Sequence, residues 1–275
     1  MVRNEGETLR RVVVSEPRRE YFRIEKPEAH NIAEVADKAR ASEQHRQLRT
    51  ILQKTGARVI NLAELAGHPN SVFTRDTSLV TPGGYIRLRM GLRTRRGEED
   101  WMALALDSLG VPCAGVIEPP GTVEGGDIIL AGSVAFISRS ERTNRSGIRQ
   151  LSRYLIAMGF EARTLDLPPP HLHIGGAMSL VGPGTVFCCR NLFPRNFFEG
   201  FETIEVPCSE ATSGNVIALG GRNVIAVREN NETVRALEQR GFTVHALDLS
   251  EFVKGRGGPS CLILPVDRDD EERRR

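Results

Sequence analysis

The chain has 275 residues, 40% of them hydrophobic and 26% charged, with a formal net charge of +2. That is long enough to bury a sizeable core, and the balanced charge leaves no footprint for nucleic acid or an anionic membrane surface. No apolar run approaches the length of a membrane span, and Arg3, Glu5, Glu7, Arg10 and Arg11 crowd the place where a signal peptide would be apolar, so a cytoplasmic location is expected.

Leu9 to Val14 is a short strand pattern closed by Ser15-Glu16-Pro17. Arg18 to His30 is polar and irregular, with the length of a loop over a site. Ile32, Val35, Ala36 and Ala39, then Leu48, Ile51 and Leu52, recur at helical spacing and predict a helix from Ile32 to Lys54. Ala57 to Leu62 follows as a strand. A unit then repeats. Thr77 to Val80, a Pro82-Gly83-Gly84 turn and Tyr85 to Leu88 make a hairpin, followed by a helix from Glu98 to Leu109 and a strand near Val111. The second copy runs Ile128 to Leu130, Val134 to Ile137, helix Ser146 to Met158, strand Phe160 to Leu165. The third opens at Met178 to Val181 and returns as Thr185 to Cys188, but Pro194 and Gly200 interrupt its helix. The fourth is Asn215 to Leu219, Asn223 to Val227, helix Glu232 to Arg240, strand Phe242 to Leu247.

Hairpin turns roughly forty to fifty residues apart indicate repeated supersecondary units. If Cys261 to Leu264 pairs with Arg11 to Val14, a fifth unit closes the series: five ββαβ modules in a ring, their turns converging on a central channel. No Pro/Gly/Ser-rich linker divides the chain, so residues 1–275 are expected to form one domain, with a charged, frayed tail from Asp267 to Arg275. The five cysteines, Cys113, Cys188, Cys189, Cys208 and Cys261, are odd in number and show no C-x-x-C pair or zinc-site spacing. A reduced compartment follows, with all but Cys261 packing as small apolar groups.

The polar residues fall at one place in each module. Asp76 precedes the first hairpin, and Glu124-Gly125-Gly126-Asp127 the second. His171 and His173 precede the third, Asn215 opens the fourth and Cys261 the fifth. Each has a bland reading: a solvated Gly-Gly turn, an Arg75–Asp76 surface pair, a loop histidine after three prolines, a core cysteine. Together they make a thiol nucleophile, a histidine acid/base and at least two carboxylates, a set suited to attack on a cationic carbon.

With those residues in view, the chain resembles the guanidino-group-modifying superfamily of arginine deiminase, dimethylarginine dimethylaminohydrolase and the amidinotransferases. The marks are R-D-T at Arg75–Thr77, E-G-G-D at Glu124–Asp127, H-L-x at His171–His173 and G-G-P-S-C at Gly257–Cys261. Within the superfamily, Ser138–Gly147 looks like the S-x-R-T-N-x-x-G run of the dimethylarginine enzymes. The resemblance implies a five-bladed, pseudo-symmetric α/β propeller of ββαβ modules around an active-site channel, acting without metal or cofactor. It implies that Asp76 and Glu124 accept the guanidinium N–H groups. Cys261 adds to the guanidinium carbon, giving an S-alkylthiouronium intermediate, and His171 protonates the leaving amine and then activates water. Arg96, with Arg95 as its near alternative, and Arg142 match positions that hold the substrate's α-carboxylate. Asp127 falls in the substrate-binding set, with support of the loop or histidine as its more natural part.

Two features separate the subfamilies. The arginine deiminases that the chain resembles are longer and carry an Asp two residues after the catalytic His, where this chain has His173. A non-acid there leaves room for methyl groups on the guanidinium. The expected activity is therefore hydrolysis of an Nω-methylated or dimethylated arginine to citrulline and methylamine or dimethylamine. Arginine deimination and amidino transfer are the alternatives, and a non-catalytic binding protein on the same ring is the remote one. The expected partner is a small guanidino substrate, with neither nucleic acid nor membrane; a homodimer is admitted but not demanded.

Overall fold

The structure, a computed structural model, describes residues 1–209 and 212–269. Its fifteen strands form five three-stranded sheets. In chain order the strands are β1 (Thr8–Ser15), β2 (Arg58–Leu62), β3 (Ser78–Thr81), β4 (Gly84–Arg87), β5 (Cys113–Val116), β6 (Ile128–Ala131), β7 (Val134–Arg139), β8 (Glu161–Asp166), β9 (Met178–Gly182), β10 (Thr185–Cys189), β11 (Glu202–Val206), β12 (Ile217–Gly220), β13 (Asn223–Val227), β14 (Thr243–Leu247) and β15 (Leu264–Asp269). Every sheet follows one plan: an inner strand pairs antiparallel with a middle strand, which pairs parallel with an outer one. The fifth sheet, β15-β1-β2, joins the two ends of the described chain, with Val13 opposite Leu264 and Val12 opposite Pro265. Inner strands meet around the ring, β6 with β9, β9 with β12 and β15 with β3, while β12 meets the middle strand β1, and an Arg89–Val123 bridge joins the first two modules. The fold is thus the mixed α/β ring of five modules expected from the repeats.

Burial follows the sequence pattern. The inner strands β3 and β6 are buried at every residue, β6 as a continuous apolar run and β3 with Ser78 and Thr81 at its ends, whereas outer β8 alternates between exposed and half-buried positions. The helices α1 (Lys38–Lys54), α2 (Glu98–Ser108), α3 (Arg145–Ala157) and α5 (Asn231–Gln239) cross from middle to outer strand, and α4 (Ile174–Ala177) and α6 (Ser250–Val253) are single turns. The helix expected from Ile32 begins only at Lys38, because Asn31 takes a left-handed conformation (φ 56) and Asp37 caps Arg40 N–H. In the third module the missing helix is replaced by Phe193, Phe197, Phe198 and Phe201 packed around one another and Phe136.

Two expectations are corrected here. Asp267–Asp269 are not tail but the end of β15, tied to β1 by the pairs Arg11–Asp267 and Thr8–Asp269; Asp270–Arg275 lie outside the described residues. Cys189 and Cys208, expected as free thiols, form a disulfide. Parallel pairing sets Cys189 opposite Val206, so Cys208 two residues on reaches it, a proximity the 19-residue spacing does not show.

The N-terminal segment closes one end of the ring. Asn4 bridges Ala131 at the end of β6, a Cβ on Gly6 would sit 2.1 Å from the Gly182 carbonyl oxygen, and Thr8 lies against Gly220. The candidate site is at the opposite ends of the same strands.

Candidate active site

Each site residue sits in the short turn that leads into an inner strand. Asp76 ends a 3-10 turn before β3, Glu124 and Asp127 flank one before β6, His173 caps α4 before β9, and Cys261 lies in the turn Pro259–Leu262 before β15. The two glycines of Glu124-Gly125-Gly126-Asp127 are required by close approach. A Cβ on Gly125 would fall 2.1 Å from the Arg75 carbonyl oxygen, and one on Gly126 would fall 2.6 Å from His173 Nδ1 and 2.9 Å from Asp76 Oδ1.

At the centre is His173. Its Nε2 lies 3.1 Å from Glu124 Oε2, and its Nδ1 lies 3.9 Å from Asp76 Oδ1. Burial pulls the imidazole's pKa down, but Asp76, Asp127 and the Glu124 hydrogen bond outweigh it and hold it up at about 9. His173 is therefore an imidazolium at neutral pH. Glu124 is fully buried. Its Oε1 accepts the Gly91 and Leu92 N–H groups at 3.0 and 3.2 Å, and Arg142 Nη1 lies 3.4 Å from both oxygens. Burial alone would raise the Glu124 carboxyl, yet His173, Arg95 and Arg142 drive it far below the usual carboxylate range.

Asp76 accepts from Gly126 N–H at 3.0 Å through Oδ1 and from Arg95 Nη1 at 2.6 Å through Oδ2. Each oxygen keeps a free lone pair. Arg95 is nearly saturated: Nε and Nη2 reach Glu98 Oε2 at 2.9 and 2.7 Å, and Nη2 also donates to the Phe73 carbonyl at 3.0 Å. It acts as the strut behind Asp76.

Cys261 shares the walls of two cavities with His173. Burial, with the Asp76 charge, pushes its thiol up to about 11, against the pull of Gly258, Asn215 and Arg75. The resting site thus pairs a neutral thiol with a charged imidazole. Asn215 holds that thiol, with Nδ2 3.7 Å from Sγ while Oδ1 accepts Ser260 N–H at 2.9 Å.

The eight residues singled out from the sequence separate into three groups. Asp76, Glu124, His173, Cys261 and Arg142 are brought together. Asp127 is near but turned away: its oxygens accept Ser138 and Ser140 hydroxyls at 2.5 and 2.6 Å, and burial raises its pKa. It ties the 124–127 turn to β7. His171 and Arg96 stand apart. His171 is half-buried in the wall of the larger cavity, its pKa lowered by burial, while His173 makes the bond to Glu124. Arg96 is exposed and directs Nε to the Met90 carbonyl at 3.4 Å; its neighbour Arg95 faces the cluster. Arg95 and Asn215 are the residues absent from that set. The position of Asn215 at the mouth of its module was a signal for it, and for Arg95 none exists beyond adjacency to Arg96. The Ser138–Gly147 run proves largely architectural. Thr143 Oγ1 accepts Glu124 N–H at 3.1 Å and Asn144 Oδ1 caps α3 through Gly147 N–H at 2.8 Å; only Arg142 faces the site.

Asp76, Glu124 and His173 also offer three ligand atoms within 4.8 Å of one another. Arg95 and Arg142 already neutralise the two carboxylates, so a metal would enter against two adjacent guanidinium groups. No helix among the described residues is long and apolar enough to cross a membrane.

Comparison with known proteins agrees with this geometry. The family described as "N,N dimethylarginine dimethylhydrolase, eukaryotic" matches residues 23–268. The N(G),N(G)-dimethylarginine dimethylaminohydrolase of Pseudomonas aeruginosa is 31% identical over 228 residues, 83% of this chain and 89% of that protein. An uncharacterised protein of Aeropyrum pernix is 33% identical over 231 residues, covering 82% and 84% of the two chains. A structure of the P. aeruginosa enzyme, a mutant complexed with citrulline, superposes with a TM-score of 0.83 at 27% identity, covering 94% of this chain and 99% of that one. By family match, relatives and fold alike, the chain belongs to the N,N-dimethylarginine dimethylhydrolase family, within the wider amidinotransferase and arginine deiminase superfamily.

Proposed function

We propose that the protein hydrolyses Nω-methylated or Nω,Nω-dimethylated arginine to citrulline and the corresponding methylamine, with Cys261 as nucleophile and His173 as acid and base. The observation that carries this is a buried imidazole, 3.1 Å from Glu124 and 3.9 Å from Asp76, that shares its cavity walls with a thiol hydrogen-bonded to no basic side chain among the described residues.

A cationic guanidinium bound to the free lone pairs of Asp76 lies against the Cys261 sulfur. Its charge favours the thiolate, whose proton passes to solvent because His173 is already protonated. The thiolate adds to the guanidinium carbon, the C–N bond to the methylated nitrogen breaks, and His173 gives that nitrogen its proton. The neutral His173 then takes a proton from water, which attacks the S-alkylthiouronium carbon, and the thiol is regenerated with citrulline. Glu124 keeps the imidazole oriented and charged. Arg142 is the guanidinium that can take the α-carboxylate, since among the described residues only its Nη1 is engaged and it walls the smaller cavity, whereas Arg95 is tied to Glu98 and Asp76. His30, the last residue of the segment expected as a loop over the site, and its neighbour Asn31 line that cavity.

With His173 as the acid, the position two residues beyond is Gly175, which offers a guanidinium no carboxylate. That favours a methylated over an unsubstituted guanidinium, whose N–H groups all need acceptors. Arginine deiminases are also among the relatives, that of Mycobacterium avium at 27% identity over 245 residues, so arginine is the comparison substrate. Citrulline release from asymmetric dimethylarginine should exceed release from arginine; preferential turnover of arginine would overturn the substrate assignment. A single-domain enzyme is the accompanying proposal, and the Cys189–Cys208 bond counts against the reducing, cytoplasmic location expected from the cysteine pattern.

A further inference from the structure

The catalytic cluster has space on two sides. On one lies the cleft of ≈ 20 Å³ walled by Asn70, Phe73, Asp76, Arg142, His30 and Asn31. On the other, a cavity of ≈ 260 Å³ runs from Cys261 and His173 into the ring, between apolar walls from Ile129, Leu180, Val216, Ile217 and Ile263. At the volume a water takes in the liquid, it has room for roughly eight non-hydrogen atoms. A dimethylamino group has three, so the cavity is larger than the leaving group assigned above.

Small residues keep the way in open. Gly126, Gly175 and Ser260 stand between the cluster and the cavity, and a Cβ on Gly175 would lie 3.2 Å from the Gly126 carbonyl oxygen and 4.0 Å from Ser260 Oγ. The wall also carries charge, with Glu5, Arg75 and Arg268. Arg75 is satisfied, with Nη2 2.7 Å from Glu5 Oε1. Arg268 differs. It is 5% exposed, its Nη1 donates to the Glu7 and Ala218 carbonyls at 2.6 and 2.8 Å, and its Nε has no partner. Glu5 and Glu7 act on it at longer range, but among the described residues it forms no ion pair. A buried guanidinium whose hydrogen bonds among the described residues go only to carbonyls leaves a place for an anion at contact distance.

We propose that this cavity is a leaving-group well, and that the enzyme accepts arginines whose Nω-substituent is a chain several atoms long ending in a carboxylate that pairs with Arg268. The inference rests on the hydrolase reading above, which places the substrate's own chain toward Arg142 and the scissile nitrogen beside His173. The chemistry is unchanged. The C–N bond to the substituted nitrogen breaks, His173 protonates that nitrogen, and the departing molecule is an ω-amino acid; water then releases citrulline from Cys261. The apolar walls hold the methylenes, and the carboxylate occupies the end of the well.

The test compares three guanidines as substrates: Nω,Nω-dimethylarginine, Nω-(3-carboxypropyl)arginine and its isosteric primary amide, Nω-(3-carbamoylpropyl)arginine. The acid should be cleaved with a kcat/KM at least ten-fold above the amide and no lower than that of dimethylarginine. Ala218→Leu, which narrows the well away from the cluster, should cut turnover of the acid ten-fold or more and leave dimethylarginine within three-fold. Equal kcat/KM for acid and amide, no cleavage of either alongside brisk cleavage of dimethylarginine, or indifference of the acid to Ala218→Leu overturns the well and leaves the hydrolase reading standing. Failure to cleave all three refutes the hydrolase reading, and the well with it.

Discussion

Two histidines two residues apart compete for the acid/base role, and the structure separates them by their surroundings. His173→Gln keeps a group able to donate to Glu124 but removes the titrating proton. The imidazole is buried, lies 3.1 Å from a carboxylate and is held up at about 9, so nearly all of it carries the proton at pH 7. General acid–base catalysis contributes about 10² to 10⁴ in rate, or ~3–5 kcal/mol of barrier. His171 has neither a carboxylate nor a hydrogen-bond partner for its ring among the described residues, and burial lowers its pKa. Steady-state citrulline formation from dimethylarginine at pH 7 should fall by about 10²-fold or more in His173→Gln, while His171→Asn stays within a few-fold of the parent. Unfolding adds a second readout. The folded pKa lies above the ordinary 6.5, so His173 contributes stability that is present below pH 6.5 and lost as pH rises through about 9. Melting temperature in the parent should therefore decline across that window more steeply than in His173→Gln. A large loss of rate in His171→Asn with a nearly intact His173→Gln would refute the assignment.

Other consequences follow from the same geometry. Because the Cys261 thiol is pushed up to about 11, its alkylation by neutral iodoacetamide should accelerate with pH toward that value; a plateau below pH 8 contradicts the buried, base-free thiol. Arg142→Ala should raise KM by about ten-fold or more with a smaller effect on kcat, the loss of a charge-assisted contact, whereas Arg96→Ala changes neither constant; equal effects would undo the choice between them. Gly126→Ala drives a methyl to 2.6 Å from the His173 ring and should destabilise the fold by about 1–3 kcal/mol in denaturant unfolding, with activity falling as His173 shifts. Unchanged stability and rate would show that the turn has slack.

The ring was legible because its inner strands are short apolar runs bounded by Gly and Pro turns at a repeating interval, a pattern that survives without long-range information. The helix of α3 shows in its amphipathic period, and the gap in the third module shows in Pro194 and Gly200. Positions that depend on one-residue register did not show. His171 and His173 both follow a proline run; only the turn of α4, which His173 caps, decides which ring meets Glu124. Arg95 and Arg96 are neighbours on a short 3-10 turn that sends one side chain inward and the other to solvent. The Cys189–Cys208 bond depends on parallel register between β10 and β11, and Asp267–Asp269 are held as strand by partners more than 250 residues away. The Glu124–Asp127 turn was found from its composition, but its glycines serve close approach to His173 and Arg75, which no local pattern encodes.

Covalent catalysis at Cys261 is the claim on which the rest depends. Enzyme mixed with asymmetric dimethylarginine, quenched in acid within the first turnovers and digested, should show by mass spectrometry one modified peptide, carrying the substrate less dimethylamine on Cys261. Cys261→Ser should show neither that adduct nor citrulline. Citrulline formed at the parent rate by Cys261→Ser, or an adduct on Cys113 or Cys188 in place of Cys261, would contradict the mechanism.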